Sequence, residues 1–140
     1  MDIGEYRQTG DSQGKYVKCK NYGNMKIIQN KWINKFIPFP TFRAANLFGV
    51  LFVRGSRPLT NRTLNHERIH TEQWKELLWI GFLLWYVGEW IIRLFAFKGG
   101  HHAYKNISFE REANSHEAEA EYIKNRKRFA FTRYIREKKA

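Results

Sequence analysis

Five consecutive residues, His66-Glu67-Arg68-Ile69-His70, combine two imidazoles and a carboxylate at a spacing suited to metal chemistry. On a helix, positions i and i+4 stand one above the other on the same face. Both imidazoles can then reach one ion, and Glu67 lies close enough to hold a water beside it. Two histidines leave a zinc ion one ligand short, because catalytic zinc usually takes three protein ligands and keeps a position for water. The third donor must be a histidine or carboxylate further along, and Glu110, Glu112, His101, His102 and His116 are the candidates. Glu110, Ala113, Asn114 and Glu117 recur at i, i+3, i+4 and i+7 and line one helix face. Glu112 points about 200° away from Glu110 on an ideal helix. The small Ala113 lets two helices approach closely. Asn114, one turn beyond Glu110, is spaced to hydrogen-bond a metal-binding histidine from behind. Tyr104 and His102 are candidates to stabilise a developing oxyanion.

H-E-x-x-H followed some way downstream by Glu110-Arg111-Glu112-Ala113-Asn114, an E-x-x-A-[D or N] pattern, resembles the gluzincin metallopeptidases. It is similar to the membrane zinc proteases of the CAAX-processing and heat-shock type, and to small regulatory metallopeptidases whose last helix reads E-x-x-A-N. The stretches 65–71 and 107–113 also resemble a family of small bacterial proteins. The gluzincin resemblance implies that His66, His70 and Glu110 are zinc ligands, that Glu67 is the general base, and that Asn114 fills the supporting Asp or Asn position. It extends over 46–126 at most. The chain departs from larger members in having no obvious substrate-binding domain.

Several elements must position these groups. Residues 47–53 are apolar and rich in β-favouring types, which predicts a strand, and 55–58 reads as a turn. In proteins that resemble this one, an edge strand lies above the metal helix and takes a peptide by strand addition. Thr60 is a good N-cap for the motif helix. From 77 to 97 the chain is apolar apart from Glu89 and Arg93, which are spaced to pair on a helix. Lys98-Gly99-Gly100 ends that block, His101-His102-Ala103-Tyr104 reads as a linker, and Ser108 caps a last helix over 109–126. Pro38-Phe39-Pro40 forces an extended segment. The expected fold is mainly α with a small β element: a metal-binding helix, an apolar bent or hairpin helix, a return helix and one short edge strand or hairpin. The expected organisation is a disordered extension over 1–24, a single domain over 25–126 and a basic tail over 127–140, with Met25 as an alternative start.

The formal charge of +12 and the pI near 10 point to an anionic neighbour. Aromatic residues make up 16% of the chain, and many stand in the apolar block beside basic flanks, which suits a membrane interface. A tail such as Asn125-Arg126-Lys127-Arg128 carries no recognised nucleic-acid motif and is equally explained by anionic lipid, so nucleic acid is not an expected partner. Cys19 is alone, so no internal disulfide is possible, and residues 1–24 hold no apolar leader.

Segment 77–97 has the length of a transmembrane helix, roughly 20 residues for a core of about 30 Å. Crossing once would put His66 and His70 on one side of the bilayer and Glu110 on the other. A single span and a three-ligand site therefore exclude each other. Both flanks are basic, which suits the cytoplasmic face of a bacterial inner membrane for both. Gly81 and Gly88 offer places to bend. The expectation is a zinc metallopeptidase acting on peptide or protein at an anionic membrane surface. The competing expectation is a non-catalytic membrane-surface protein with a structural or vestigial metal site.

Overall fold

The structure, a computed structural model, describes residues 20–22, 25–29, 44–55 and 59–136. Expectations for residues 1–19, for Pro38-Phe39-Pro40, for Ser56-Arg57-Pro58 and for 137–140 lie outside them. The chain divides at Thr60 into two compact units, Met1–Thr60 and Asn61–Ala140. The class is α+β, mainly helical with a small mixed sheet.

In the first unit, β1 (Lys20–Tyr22), β2 (Met25–Gln29), β3 (Ala44–Leu47) and β4 (Val50–Val53) form a sheet of order β1-β2-β4-β3. Lys20-Asn21-Tyr22 is thus a paired strand, not part of a disordered extension. Tyr22 stands opposite Met25 in an antiparallel register, and both are buried. β2 runs parallel to β4, with Ile27 opposite Leu51. The stretch read as one strand over 47–53 is split by a tight turn. Phe48 and Gly49 both have positive φ, 54° and 73°, as a two-residue hairpin of matching twist requires. Alternation then buries Leu51 and Val53 with Met25 and Ile27. β4 is interior, so the free edges of this sheet are β1 and β3.

The second unit carries α1 (Asn61–Glu76), α2 (Ile80–Ala96), α3 (Gly100–Lys105), α4 (Ser108–His116), α5 (Tyr122–Asn125) and a 3₁₀ turn (Ala130–Tyr134). Thr60 stands just before α1. α1 breaks at 77–79, where Leu78 (φ 50°) and Trp79 (φ 62°) enter the left-handed region. Bulky residues pay for that conformation, and packing holds it: Trp79 lies 6.0 Å from Trp74, and its amide donates to the Trp74 carbonyl.

The break turns the chain by 113°, folding α1 back over α2. The bend is therefore not at Gly81 or Gly88, both of which lie inside α2. Among the described residues no single helix is long and apolar enough to cross a membrane. α2 has 17 residues, about 25 Å at 1.5 Å per residue, short of a core of about 30 Å.

α2 has two distinct faces. Phe82, Tyr86, Glu89 and Arg93, at i, i+4, i+7 and i+11, face inward and bond or pack to other elements. Phe82 stacks on Trp74 of α1 at 4.1 Å and meets Phe109 of α4 at 4.5 Å, and Phe109 meets Phe131 at 4.5 Å. With Ile107 these aromatics form the core that joins α1, α2, α4 and the 3₁₀ turn. The opposite face, Ile80, Leu84, Val87, Ile91 and Phe95, is exposed.

The polar interior is as specific. Glu89 pairs with Arg93 at 3.2 Å, as its spacing predicts, and also accepts the Ser108 amide (3.0 Å) and hydroxyl (2.6 Å). Ile107 occupies the N-cap position expected for Ser108, and the capping acceptor comes from α2 instead. The segment 101–104, read as a linker, is helical within α3. The last helix, expected over 109–126, stops at His116. The chain then returns so that the buried Arg126 pairs with both Glu112 and Glu76, tying α5 to α4 and α1.

Candidate metal centre

His66 and His70 project from one face of α1 with their rings edge to face, 4.7 Å apart. Their Nε2 atoms are 3.0 Å from each other. Glu110, in the first turn of α4, places Oε2 3.4 Å from His66 Nε2 and Oε1 3.4 Å from His70 Nε2. One donor atom from each residue lies within 4.8 Å of the other two, so the three could hold a metal ion. α4 reaches α1 because Phe109 enters the aromatic core one residue before Glu110, while the buried Ala113 adds no bulk at the same interface.

The partners of the rings fix their tautomers. Gln73 Nε2 donates to the Phe109 carbonyl (3.2 Å) and to Glu112 Oε2 (3.0 Å), so its Oε1 must face His70 Nδ1, 2.8 Å away. His70 Nδ1 therefore carries hydrogen. His66 Nδ1 lies 3.0 Å from Glu117 Oε2, and Arg62 donates to the other Glu117 oxygen, so that ring too has its hydrogen on Nδ1. Both Nε2 lone pairs then converge on each other and on a carboxylate. A proton or a metal ion can bridge that arrangement.

The charges respond accordingly. Burial would raise the Glu110 carboxyl, but His70 and His66 outweigh it and hold it well below the usual carboxylate range. Burial would lower His70, but the Glu110 carboxylate outweighs it and pushes the imidazole up to about 9. A proton can thus supply the bridging positive charge. Burial pushes the Glu67 carboxyl up, partly offset by the neighbouring imidazoles.

Tyr86, from the inward face of α2, donates its hydroxyl to Glu110 Oε1 at 3.0 Å. Tyr104, from α3, joins this group, with hydrogen bonds to Glu110 and Tyr86 contributing to its environment. Burial, followed by the Glu110 charge, raises both phenols well above their ordinary range. They remain hydrogen-bond donors at any neutral pH.

The residues expected from sequence separate into two groups. His66, Glu67, His70, Glu110 and Tyr104 come together. Asn114 is exposed, and the Nδ1 atoms of His66 and His70 are bonded by Glu117, one turn further along, and by Gln73. His102 is exposed on α3 with His101, away from the oxyanion role expected of it. His116 bonds Glu119 and Tyr134 instead. Glu112, the rival ligand, is buried among Gln73, Tyr122 and Arg126. Gln73 was legible as the i+3 neighbour of His70, and Glu117 as a member of the Glu110 face. Tyr86 carried no such signal, because its place depends on the turn at 77–79.

Comparison with protein-family models, with curated proteins and with solved structures finds no match for this chain.

Proposed function

We propose that this chain is a zinc-dependent metallopeptidase of the gluzincin kind, working at a membrane surface. The observation that carries the reading is the convergence of two Nε2 lone pairs and a carboxylate, with both Nδ1 hydrogens held from behind. Two imidazoles and one carboxylate form a donor set suited to zinc rather than to calcium or magnesium. Ligands about 2.05 Å from a tetrahedral ion stand about 3.3 Å apart; the two Nε2 atoms are 3.0 Å apart and each lies 3.4 Å from a different Glu110 oxygen. Three such ligands would leave one position of a tetrahedral ion for water.

A zinc ion in such a site lowers the pKa of its water to about 7 and polarises a peptide carbonyl. Glu67 stands beside the ligands with a carboxyl raised above its ordinary value, which suits a group that takes a proton from water and returns it to a leaving amine. Tyr86 and Tyr104 remain protonated donors next to Glu110. Tyr86 steadies that carboxylate, and either phenol is of a type that stabilises an oxyanion. The exposed apolar face of α2 and the charge of +12 support attachment to an anionic membrane with α2 lying in the interface.

Metal content and hydrolysis of an unstructured peptide library, measured together, test the reading. The wild type is expected to hold one zinc and cleave. Glu67→Gln is expected to keep zinc and lose about 10²-fold or more in rate. Glu110→Ala is expected to lose zinc. Wild-type protein that neither carries nor takes up zinc would sink the proposal. Zinc retained without any dependence of hydrolysis on Glu67 would leave a structural metal site, the non-catalytic alternative.

A further inference from the structure

The candidate centre uses one face of α4, and a different feature borders another. A cavity of about 610 Å³ is lined by Lys105 of α3, by Arg111, Asn114 and His116 of α4, and by Arg133 and Arg136 at the 3₁₀ turn. Four of these side chains are cationic, and among the described residues the lining includes no carboxylate. The nearby Glu119 is engaged by His116 Nδ1 at 3.0 Å. The wall is built rather than loose. Arg111 donates to the carbonyls of Tyr134 (2.6 Å) and Arg136 (3.3 Å), and the His116 ring stacks on Tyr122 at 3.7 Å. Clustered guanidinium groups without a carboxylate match the charge and fork geometry of a phosphate.

The cavity is tied to the apolar helix. Phe131 packs against Trp85 of α2 at 5.5 Å, and Arg93 of α2 donates to the Ile135 carbonyl at 2.6 Å. The segment carrying Arg133 and Arg136 is thus clamped to the helix whose outer face exposes Ile80, Leu84, Val87, Ile91 and Phe95. A phosphate site fastened to the helix that carries an apolar face matches one molecule that has both parts. We propose that the cavity binds the phosphate of an anionic phospholipid headgroup while the outer face of α2 meets the acyl layer. The inference rests on the membrane attachment proposed above and gives it a chemical partner.

Flotation of the full chain with phosphatidylcholine vesicles, with and without phosphatidylglycerol, tests it. The wild type is expected to bind only the anionic vesicles. Arg133→Gln/Arg136→Gln is expected to weaken binding about 25-fold, roughly fivefold per cation. The charge-matched Lys124→Gln/Lys127→Gln, which lies outside the cavity, is expected to change it by less than about threefold. All these positions are exposed, and unchanged circular dichroism and zinc content verify folding. Equal weakening by both pairs would mean diffuse attraction and overturn the inference. So would thermal stabilisation by inorganic phosphate that is lost in the Arg133/Arg136 pair while vesicle binding is kept. Preferential loss of duplex oligonucleotide binding in that pair would reassign the cavity to nucleic acid. A wild type that ignores anionic vesicles removes the membrane reading and this inference together. A wild type that binds them as well as the Arg133/Arg136 pair does removes only the inference.

Discussion

Gln73 and Glu117 each accept the Nδ1 hydrogen of one imidazole, and that choice of atom aims both Nε2 lone pairs at Glu110. Removing such support typically costs 10–100-fold in metal affinity. Glu117→Ala is expected to weaken zinc binding by that factor in a competition titration with a chromophoric chelator, while Asn114→Ala leaves it unchanged. The same group predicts a pH dependence. In the metal-free protein, His70 stands at about 9 against an ordinary 6.5. Its protonation therefore favours the fold fully below about 6.5, and that contribution is lost as pH rises through 9. Denaturant midpoints in chelator are expected to fall between pH 6.5 and 9.5, and the zinc-loaded protein is expected to lose less. Near pH 7.5, zinc uptake is expected to release about one proton, readable by calorimetry in buffers of different ionisation enthalpy. The convergence of His66, His70 and Glu110 was legible because helical spacing alone puts them on definite faces. Asn114 lies one helical step around α4 from the buried Ala113, and that step carries it to solvent.

At the scale of elements, the apolar block misled through its glycines. Gly81 and Gly88 suggested bends, yet the turn falls on Leu78 and Trp79, which tertiary packing of Trp79 on Trp74 stabilises against local preference. Nothing lies within 4 Å of a Cβ added at Gly88, and its backbone is helical. Gly88→Ala is expected to raise stability by about 0.5–1 kcal/mol in urea denaturation. Arg126 is the opposite case. Its side chain is 3% exposed and bridges Glu112 and Glu76. Arg126→Met would strand two carboxylates in the interior, and breaking such a pair costs about 3–5 kcal/mol. Thermal unfolding is expected to show that loss. Sequence placed Arg126 at the end of a long helix, because a bond spanning 50 residues leaves no local pattern.

For the molecule as a whole, the sequence demanded that Glu110 return to the motif helix, and that topological condition was legible without coordinates. How the chain satisfies it was not, since the answer lies in contacts among Trp74, Phe82, Phe109 and Phe131 drawn from four separate segments. With α2 on lipid, Leu84→Glu and Ile91→Glu are expected to abolish vesicle binding and leave zinc content unaltered. α2 also has an inward face. Tyr86 donates to Glu110, and Glu89 holds the first turn of the helix that carries it. On the proposed reading, one helix would meet lipid on one side and a metal ligand on the other. Linkage then works in both directions. If vesicles tighten zinc binding by some factor, zinc must tighten vesicle binding by the same factor, and a chain that has lost its metal would be the first to leave the bilayer.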